Sequence, residues 1–313
     1  MSSPKPQIIF FGTSDFAANI LKSLATNSLA DLILVVTQPD QPTGRHQTLT
    51  PPPVKILAQK LGLSIIQPAN LDDTNEIKLK DLQADLFIIA AYGLIIPSSI
   101  LTLPRLGCLN IHPSLLPLYR GPSPIQTCLL NGDQETGISL ILLDKKMDHG
   151  PLVSQIKIPV EPTDNYLTLS AKLADHSSRL LISTLPKFIT NEIRPQAQNH
   201  SAATFTKIIK KINGQINWQN NAQKIYNQWR AFYLWPNIFS VIKIKNKNIL
   251  IKFNEIKPTS QKPISQNDPG TLFVDSKKLL AACGESSCLE ILRLQPEGKK
   301  IMTADEFING YLK

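Results

Sequence analysis

Ile8-Ile9-Phe10-Phe11-Gly12-Thr13-Ser14-Asp15-Phe16 opens as an unbroken apolar run, turns at a glycine and leads into the helical spacing of Phe16–Leu24. A run without polar alternation suits a strand buried on both faces, the condition of a parallel sheet covered by crossover helices. The unit recurs. Leu32–Val36, Ser64–Ile66, Leu86–Ala90, Cys108–Ile111 and Gly137–Leu143 read as further strands, with Val54–Leu61, Asn75–Gln83 and Ile125–Leu130 as helices among them. A long helix runs from Tyr166 to about Leu185, with Leu169, Leu173, Leu180 and Leu181 as its apolar positions and Asp164 as its expected N-cap. The alternation predicts an α/β class with a Rossmann-like, doubly wound, mostly parallel sheet. Its first turn lacks the G-x-G-x-x-G spacing that brings a helix N-terminus onto a pyrophosphate, so a dinucleotide cofactor is disfavoured.

Periodicity lapses into polar sequence across 191–206, which predicts a linker between a catalytic domain of residues 1–190 and a second domain of residues 207–313. A chain of 313 residues is long enough for two cores. Beyond the linker, a helix over Ala222–Phe232 precedes five short strands: Phe239–Ile244, Ile249–Glu255, Gly270–Val274, Leu279–Ala282 and Cys288–Leu294. Short strands with turn-rich joints predict a small OB-like β-barrel.

Charge divides the chain at the same place. Residues 1–200 hold 16 Lys/Arg against 16 Asp/Glu, whereas residues 201–313 hold 17 against 8, so the net charge of +9 belongs to the last third. Such asymmetry suits a polyanion, because lysine and arginine gain affinity by releasing phosphate counterions. A merely solubilising surface is the competing reading. The four cysteines lack zinc-site spacing and read as reduced structural thiols, and no metal motif is present. No apolar run is long enough for a membrane span and the first residues carry no signal-type apolar segment, so a cytoplasmic location is expected.

The segment richest in chemistry is Cys108-Leu109-Asn110-Ile111-His112-Pro113-Ser114-Leu115-Leu116-Pro117. Asn110 and His112 lie two apart on a strand and so share a face, near the carboxyl end where open α/β sheets place ligands. An amide donor and an imidazole there can hold the oxyanion of a tetrahedral intermediate. Asp144-Lys145-Lys146-Met147-Asp148-His149-Gly150 follows the next apolar strand. A carboxylate from that loop would fix the tautomer of His112, although acidic residues in such a turn are also ordinary turn-formers.

These segments resemble the methionyl-tRNA formyltransferases, within the wider family of 10-formyltetrahydrofolate-dependent formyltransferases, and the likeness runs from Ile8 to about Tyr311. The resemblance implies a catalytic set of Asn110, His112 and Asp148. It implies a folate site formed by Tyr92, Gly93, Leu94 and Ile95 of the Ala91–Pro97 loop, by the Ser-Leu-Leu-Pro stretch Ser114, Leu115, Leu116 and Pro117, and by Leu142 and Asp144. Two further likenesses are narrower. Thr37-Gln38-Pro39-Asp40 with Gly44-Arg45 is similar to a loop that holds the acceptor end of tRNA, and Leu294–Ala304 is similar to the close of the C-terminal domain. Arg45, Lys207, Lys210, Lys243 and Lys245 are the tRNA contacts so implied. Where family members carry more cations in that loop, this chain has Gln41, Gln47 and Thr48. Gln38–Pro51 has no apolar period and reads as a loop without helix or strand.

The implied reaction is attack by the uncharged α-amine of initiator methionyl-tRNA on the formyl carbon of 10-formyltetrahydrofolate, by a monomeric enzyme that needs no metal. Formyl transfer to a small amine, such as glycinamide ribonucleotide or an amino sugar, would use the same catalytic set. A non-catalytic RNA-binding protein and a formylfolate hydrolase are weaker alternatives, the first opposed by the intact catalytic set.

Overall fold

The computed structural model describes residues 5–44, 47–245, 247–263 and 268–313. The chain forms two compact units, one of residues 1–124, 135–160 and 170–207, the other of residues 125–134, 161–169 and 208–313.

Along the chain run β1 (Gln7–Gly12), α1 (Asp15–Thr26), β2 (Asp31–Val36), β3 (Gln41–Thr43), β4 (Thr48–Thr50), α2 (Pro53–Lys60), β5 (Ile65–Ile66), α3 (Asp73–Asp81) and β6 (Leu86–Ala90). Then come α4 (Ser98–Leu101), β7 (Cys108–His112), α5 (Pro124–Asn131), β8 (Glu135–Leu142), β9 (Leu152–Pro159) and α6 (Tyr166–Ile189). Seven of these strands form one sheet in the order β5-β2-β1-β6-β7-β8-β9. The first five are parallel, and β8 and β9 are antiparallel additions at one edge. The order reverses between β1 and β6, which opens a crevice at the carboxyl ends of these strands.

Burial explains why this half was readable. Ile8, Ile9, Phe10 and Phe11 are all fully buried, so β1 is apolar on both faces. Gly12 ends β1 because a Cβ there would lie 2.6 Å from the Phe10 ring and 2.7 Å from Ala17 of α1, too close for any side chain. On one face, Ile9, Phe11, Val36, Phe87, Ile89 and Cys108 form a core with Leu79 of α3 and Ile100 of α4. The register sets Asn110 beside Ile89 on β6 and Ile141 on β8. The row Cys108, Asn110, His112 therefore leaves this core and enters the site on a single face.

Three expectations need correction. The Gln38–Pro51 segment contains a hairpin, with Gln41 opposite Thr50 and Thr43 opposite Thr48. All six of its strand residues are exposed, so no buried face imposed a period on the sequence. β9 was not foreseen, because its edge position leaves a mixed burial pattern in place of an apolar run. At α6 the cap is Asn165, whose Oδ1 accepts from the amides of Leu167 and Thr168 at 2.9 and 3.2 Å. Asp164 instead accepts from the Glu161 amide and from the Thr168 hydroxyl.

The second unit contains α7 (Ala222–Ala231), capped by Asn221 through the Lys224 amide. Its strands are β10 (Ile238–Ile244), β11 (Lys247–Thr259), β12 (Leu272–Asp275), β13 (Lys278–Cys283), β14 (Ser287–Pro296) and β15 (Met302–Thr303), followed by α8 (Ala304–Phe307). The antiparallel order β10-β11-β14-β13-β12, with β15 beside β14, makes a curled half-barrel. Its longest strand, β11, breaks register around Asn254, and such a bulge bends a strand and raises its twist. The Trp229 indole donates to the Asn254 carbonyl at 3.0 Å and so satisfies the bulge.

Candidate active site

β7 is buried along its whole length, yet two of its five residues are polar. Burying an amide and an imidazole is costly unless they are hydrogen-bonded, and here they meet a carboxylate. Asp148 Oδ1 stands 3.5 Å from Asn110 Nδ2 and 3.6 Å from His112 Nδ1. Its other oxygen, Oδ2, accepts from the Gly121 amide at 2.7 Å. On the far side of the ring, His112 Nε2 lies 2.9 Å from the Tyr119 carbonyl oxygen. A carbonyl accepts only, so Nε2 carries the hydrogen. Nδ1 is then the nitrogen free to exchange a proton beside Asp148.

Each partner is set by local backbone. Tyr119 and Asp148 both take positive φ, 62° and 47°. The Asp148 loop closes at Gly150, where a Cβ would come within 1.7 Å of the Leu142 carbonyl oxygen, so only glycine fits. The Ser114–Leu118 turn is braced from β8 and β9. Ser139 Oγ donates to the Ser114 carbonyl at 2.7 Å and accepts from the Leu116 amide at 3.1 Å, while Gln155 Nε2 donates to the Leu116 carbonyl and to Ser139 Oγ. Sequence reading missed both residues. The available signal was Ser139 itself, a polar residue inside the apolar strand Ile138–Leu142.

The structure brings Asn110, His112 and Asp148 together, and it sorts the residues expected around a folate. Tyr92 is 2% exposed, its ring edge-on to Phe11 at 5.5 Å and its hydroxyl without a partner among the described residues. Burying the ring contributes roughly 1.5–3 kcal/mol. An unpaired hydroxyl costs about 1–3 kcal/mol, so the two terms are of similar size and largely offset. Burial also pushes the phenol up to about 12. The Tyr92 ring thus faces the core, and its carbonyl accepts from Thr13 Oγ1 and Gln38 Nε2. Ser114 is fully buried and spends its hydroxyl on the Leu118 carbonyl at 2.6 Å. Leu116 is buried beside the cis Leu116–Pro117 peptide, and Leu115 packs over Gly137. Gly93 takes φ 85°, Leu94 packs on the core, Ile95 is exposed and Leu142 is half-buried. Asp144 accepts from His149 Nδ1 at 2.6 Å, and its hydrogen bonds from His149 and the Lys146 amide hold its carboxyl below the usual range against partial burial.

Arg45 lies outside the described residues. Lys207 belongs to the first unit and is exposed. In the second unit Lys210 and Lys243 are exposed, and Lys245 donates to the Lys313 carbonyl.

Residues 6–185 match the family model described as "Formyl transferase", and residues 208–312 match "Formyl transferase, C-terminal domain". This chain belongs to the formyltransferase family. The methionyl-tRNA formyltransferase of Caldicellulosiruptor saccharolyticus is 40% identical over 306 residues, covering 97% of this chain and 96% of the relative. That of Bacillus subtilis is 36% identical, covering 97% and 94%. Among solved structures, the N-formyltransferase from Helicobacter canadensis in complex with folinic acid and dTDP-3-aminofucose superposes with a TM-score of 0.68 at 19% identity, covering 93% of this chain and 99% of that one. HypX from Aquifex aeolicus in complex with tetrahydrofolic acid gives 0.64 at 12% identity, covering 99% of this chain and 48% of that one. At such identities the structural likeness establishes the formyltransferase fold alone.

Proposed function

We propose that this formyltransferase moves the formyl group of 10-formyltetrahydrofolate to the α-amine of initiator methionyl-tRNA. The reading is carried by end-to-end identity of 36–41% with relatives named methionyl-tRNA formyltransferase. The convergence of Asn110, His112 and Asp148 supports it. The uncharged amine attacks the formyl carbon, the C–O π pair moves onto oxygen, and a tetrahedral intermediate forms. Asn110 Nδ2 donates to that oxyanion, and a proton on His112 Nδ1 serves as second donor while Asp148 balances the imidazolium. Asp148 also relays the surplus amine proton, through water, to the folate nitrogen. Collapse then breaks the bond from carbon to that nitrogen and leaves formylmethionyl-tRNA and tetrahydrofolate. The folate lies along the backbone of the 92–97 and 142–148 loops, and the enzyme acts as a cytosolic monomer.

Formyl transfer to an amino sugar would use the same trio, and some solved neighbours carry that description. The surplus of positive charge in residues 201–313 favours a polynucleotide acceptor. Mass measurement of the product separates the readings. Incubation with 10-formyltetrahydrofolate and methionyl-tRNA should add one formyl group to the methionyl amine. Glycinamide ribonucleotide, an amino-sugar nucleotide or no acceptor should give little turnover, and efficient formylation of a small amine or turnover without amine would overturn the reading.

A further inference from the structure

Residues 186–207 fall between the two family matches. We infer that part of this stretch, residues 196–206, belongs to the catalytic machinery, and that Gln198 is the positioning residue that holds Asp148 against Asn110 and His112. The inference rests on the trio being the reactive set.

Gln198 is polar, in a polar stretch, and yet only 5% exposed. Its amide nitrogen donates to the carbonyl of Asp148 at 2.9 Å and to that of Gly150 at 2.7 Å. Its amide oxygen accepts from Arg120 Nε at 3.3 Å and from Arg120 Nη2 at 2.7 Å. Both donors and both lone pairs of the amide are therefore used, which a surface glutamine rarely achieves. Arg120 is itself buried, and its Nη2 also reaches His200 Nδ1 at 2.9 Å. The two carbonyls that Gln198 grips lie in the turn where Asp148 adopts positive φ, a conformation uncommon outside glycine that aspartate tolerates better than most, and the two bonds hold the turn in it.

The rest of the segment holds the other partners of the trio. Thr204 Oγ1 accepts from the Tyr119 amide at 2.8 Å, and the Thr204 carbonyl accepts from the Arg120 amide at 2.9 Å. The Thr206 amide donates to the Arg120 carbonyl at 2.7 Å. The turn fastened in this way presents the Tyr119 carbonyl to His112 and the Gly121 amide to Asp148. Residues 196–206 thus fix the support of the imidazole and, through Gln198, the carboxylate.

The test uses the full chain. Gln198→Met keeps the length and removes every hydrogen bond. Gln198→Glu keeps acceptors for Arg120 but turns a carboxylate oxygen onto the carbonyls of Asp148 and Gly150. With thermal melts close to wild type, both should lose kcat by about 30- to 300-fold while KM for folate and for methionyl-tRNA moves less than about threefold, the pattern of support lost in the transition state. Added to Asp148→Ala, Gln198→Met should cost little more, because the residue acts through Asp148. Wild-type kcat in Gln198→Met overturns the inference. So does wild-type kcat in Gln198→Glu, which would mean that Gln198 only seats Arg120. If neither folds, Gln198→Asn, one methylene short, takes their place; it should lose kcat by about tenfold, and an unchanged kcat overturns the inference equally. Near-normal turnover in Asp148→Ala alone would instead overturn the assignment of the trio.

Discussion

The trio and the lysines of the last third are both polar groups that the proposed function offers to a substrate, but they stand in opposite surroundings. Asn110 and His112 are buried and Asp148 nearly so, each within 3.6 Å of another member and each tied to backbone or neighbour. Lys210 and Lys243 are exposed. A buried donor in a low dielectric acts through its aim, and its effect is large, local and little screened. An exposed lysine acts through number, and salt screens each contribution. The first arrangement therefore concentrates function in a few atoms, and the second spreads it over many.

The largest effect should come from the trio. Asn110→Ala or His112→Ala should each lower kcat by about two to three orders of magnitude, as loss of an oxyanion donor does, with folate KM nearly unchanged. Steady-state kinetics at two salt concentrations checks this, because the deficit should be the same at both. Near-normal turnover in His112→Ala would erase the contrast. Salt is the next lever. Raising it from about 50 to 200 mM should raise KM for methionyl-tRNA by more than about tenfold and leave kcat and folate KM almost alone. A flat KM would make the basic surplus a solubility feature. Arg45 should come third, and its case rests on sequence. Asp40, at the base of hairpin β3–β4, accepts from Lys55 Nζ at 2.8 Å and from Gln67, and these bonds hold its carboxyl below the usual range. With no other Lys or Arg in Gln38–Pro51, Arg45→Ala should cut kcat/KM for methionyl-tRNA by about tenfold, and Arg45→Lys should recover only part, since a point charge cannot replace a planar fork. Unchanged kinetics in Arg45→Ala would make the loop's charge incidental.

How far the site could be read in advance follows the same contrast. β1 and β7 were legible because burial on both faces forces an apolar run, and within that run Asn110 and His112 stand out as polar exceptions. Asp148 was legible as an acidic residue in a loop after the next strand, though its distance from His112 was not. Gln198 was invisible. It lies among Gln196, Asn199 and His200, where nothing in composition separates a saturated buried amide from solvated neighbours. The hairpin strands Gln41–Thr43 and Thr48–Thr50 were hidden for the converse reason, since full exposure leaves their pairing no apolar signature. Tyr92 shows a third limit. Its place in the loop was foreseen, but which way the ring turns is set by Phe11 and the core behind it.

The smallest effect is also the sharpest test of spread against concentration. Lys243, on β10, is exposed, whereas Lys245, just past the end of that strand, donates to the Lys313 carbonyl. Both have lysine chemistry, but of the two only Lys245 has its ammonium bound among the described residues, and that of Lys243 is left to follow a phosphate. If each phosphate contact contributes about 0.9 to the slope of log affinity against log salt, removing one contact should shrink the loss of affinity over a fourfold rise in salt by roughly a factor of three. Lys243→Ala should therefore weaken tRNA binding about threefold at low salt and lower the slope by about one, with kcat unchanged. Lys245→Ala should do less, because its ammonium already has a partner. Binding isotherms for both variants across a salt series decide the matter. Equal losses would mean that the Lys245 bond yields to the substrate, and a loss for Lys243→Ala that ignored salt would mean that this residue works by aim, as the trio does.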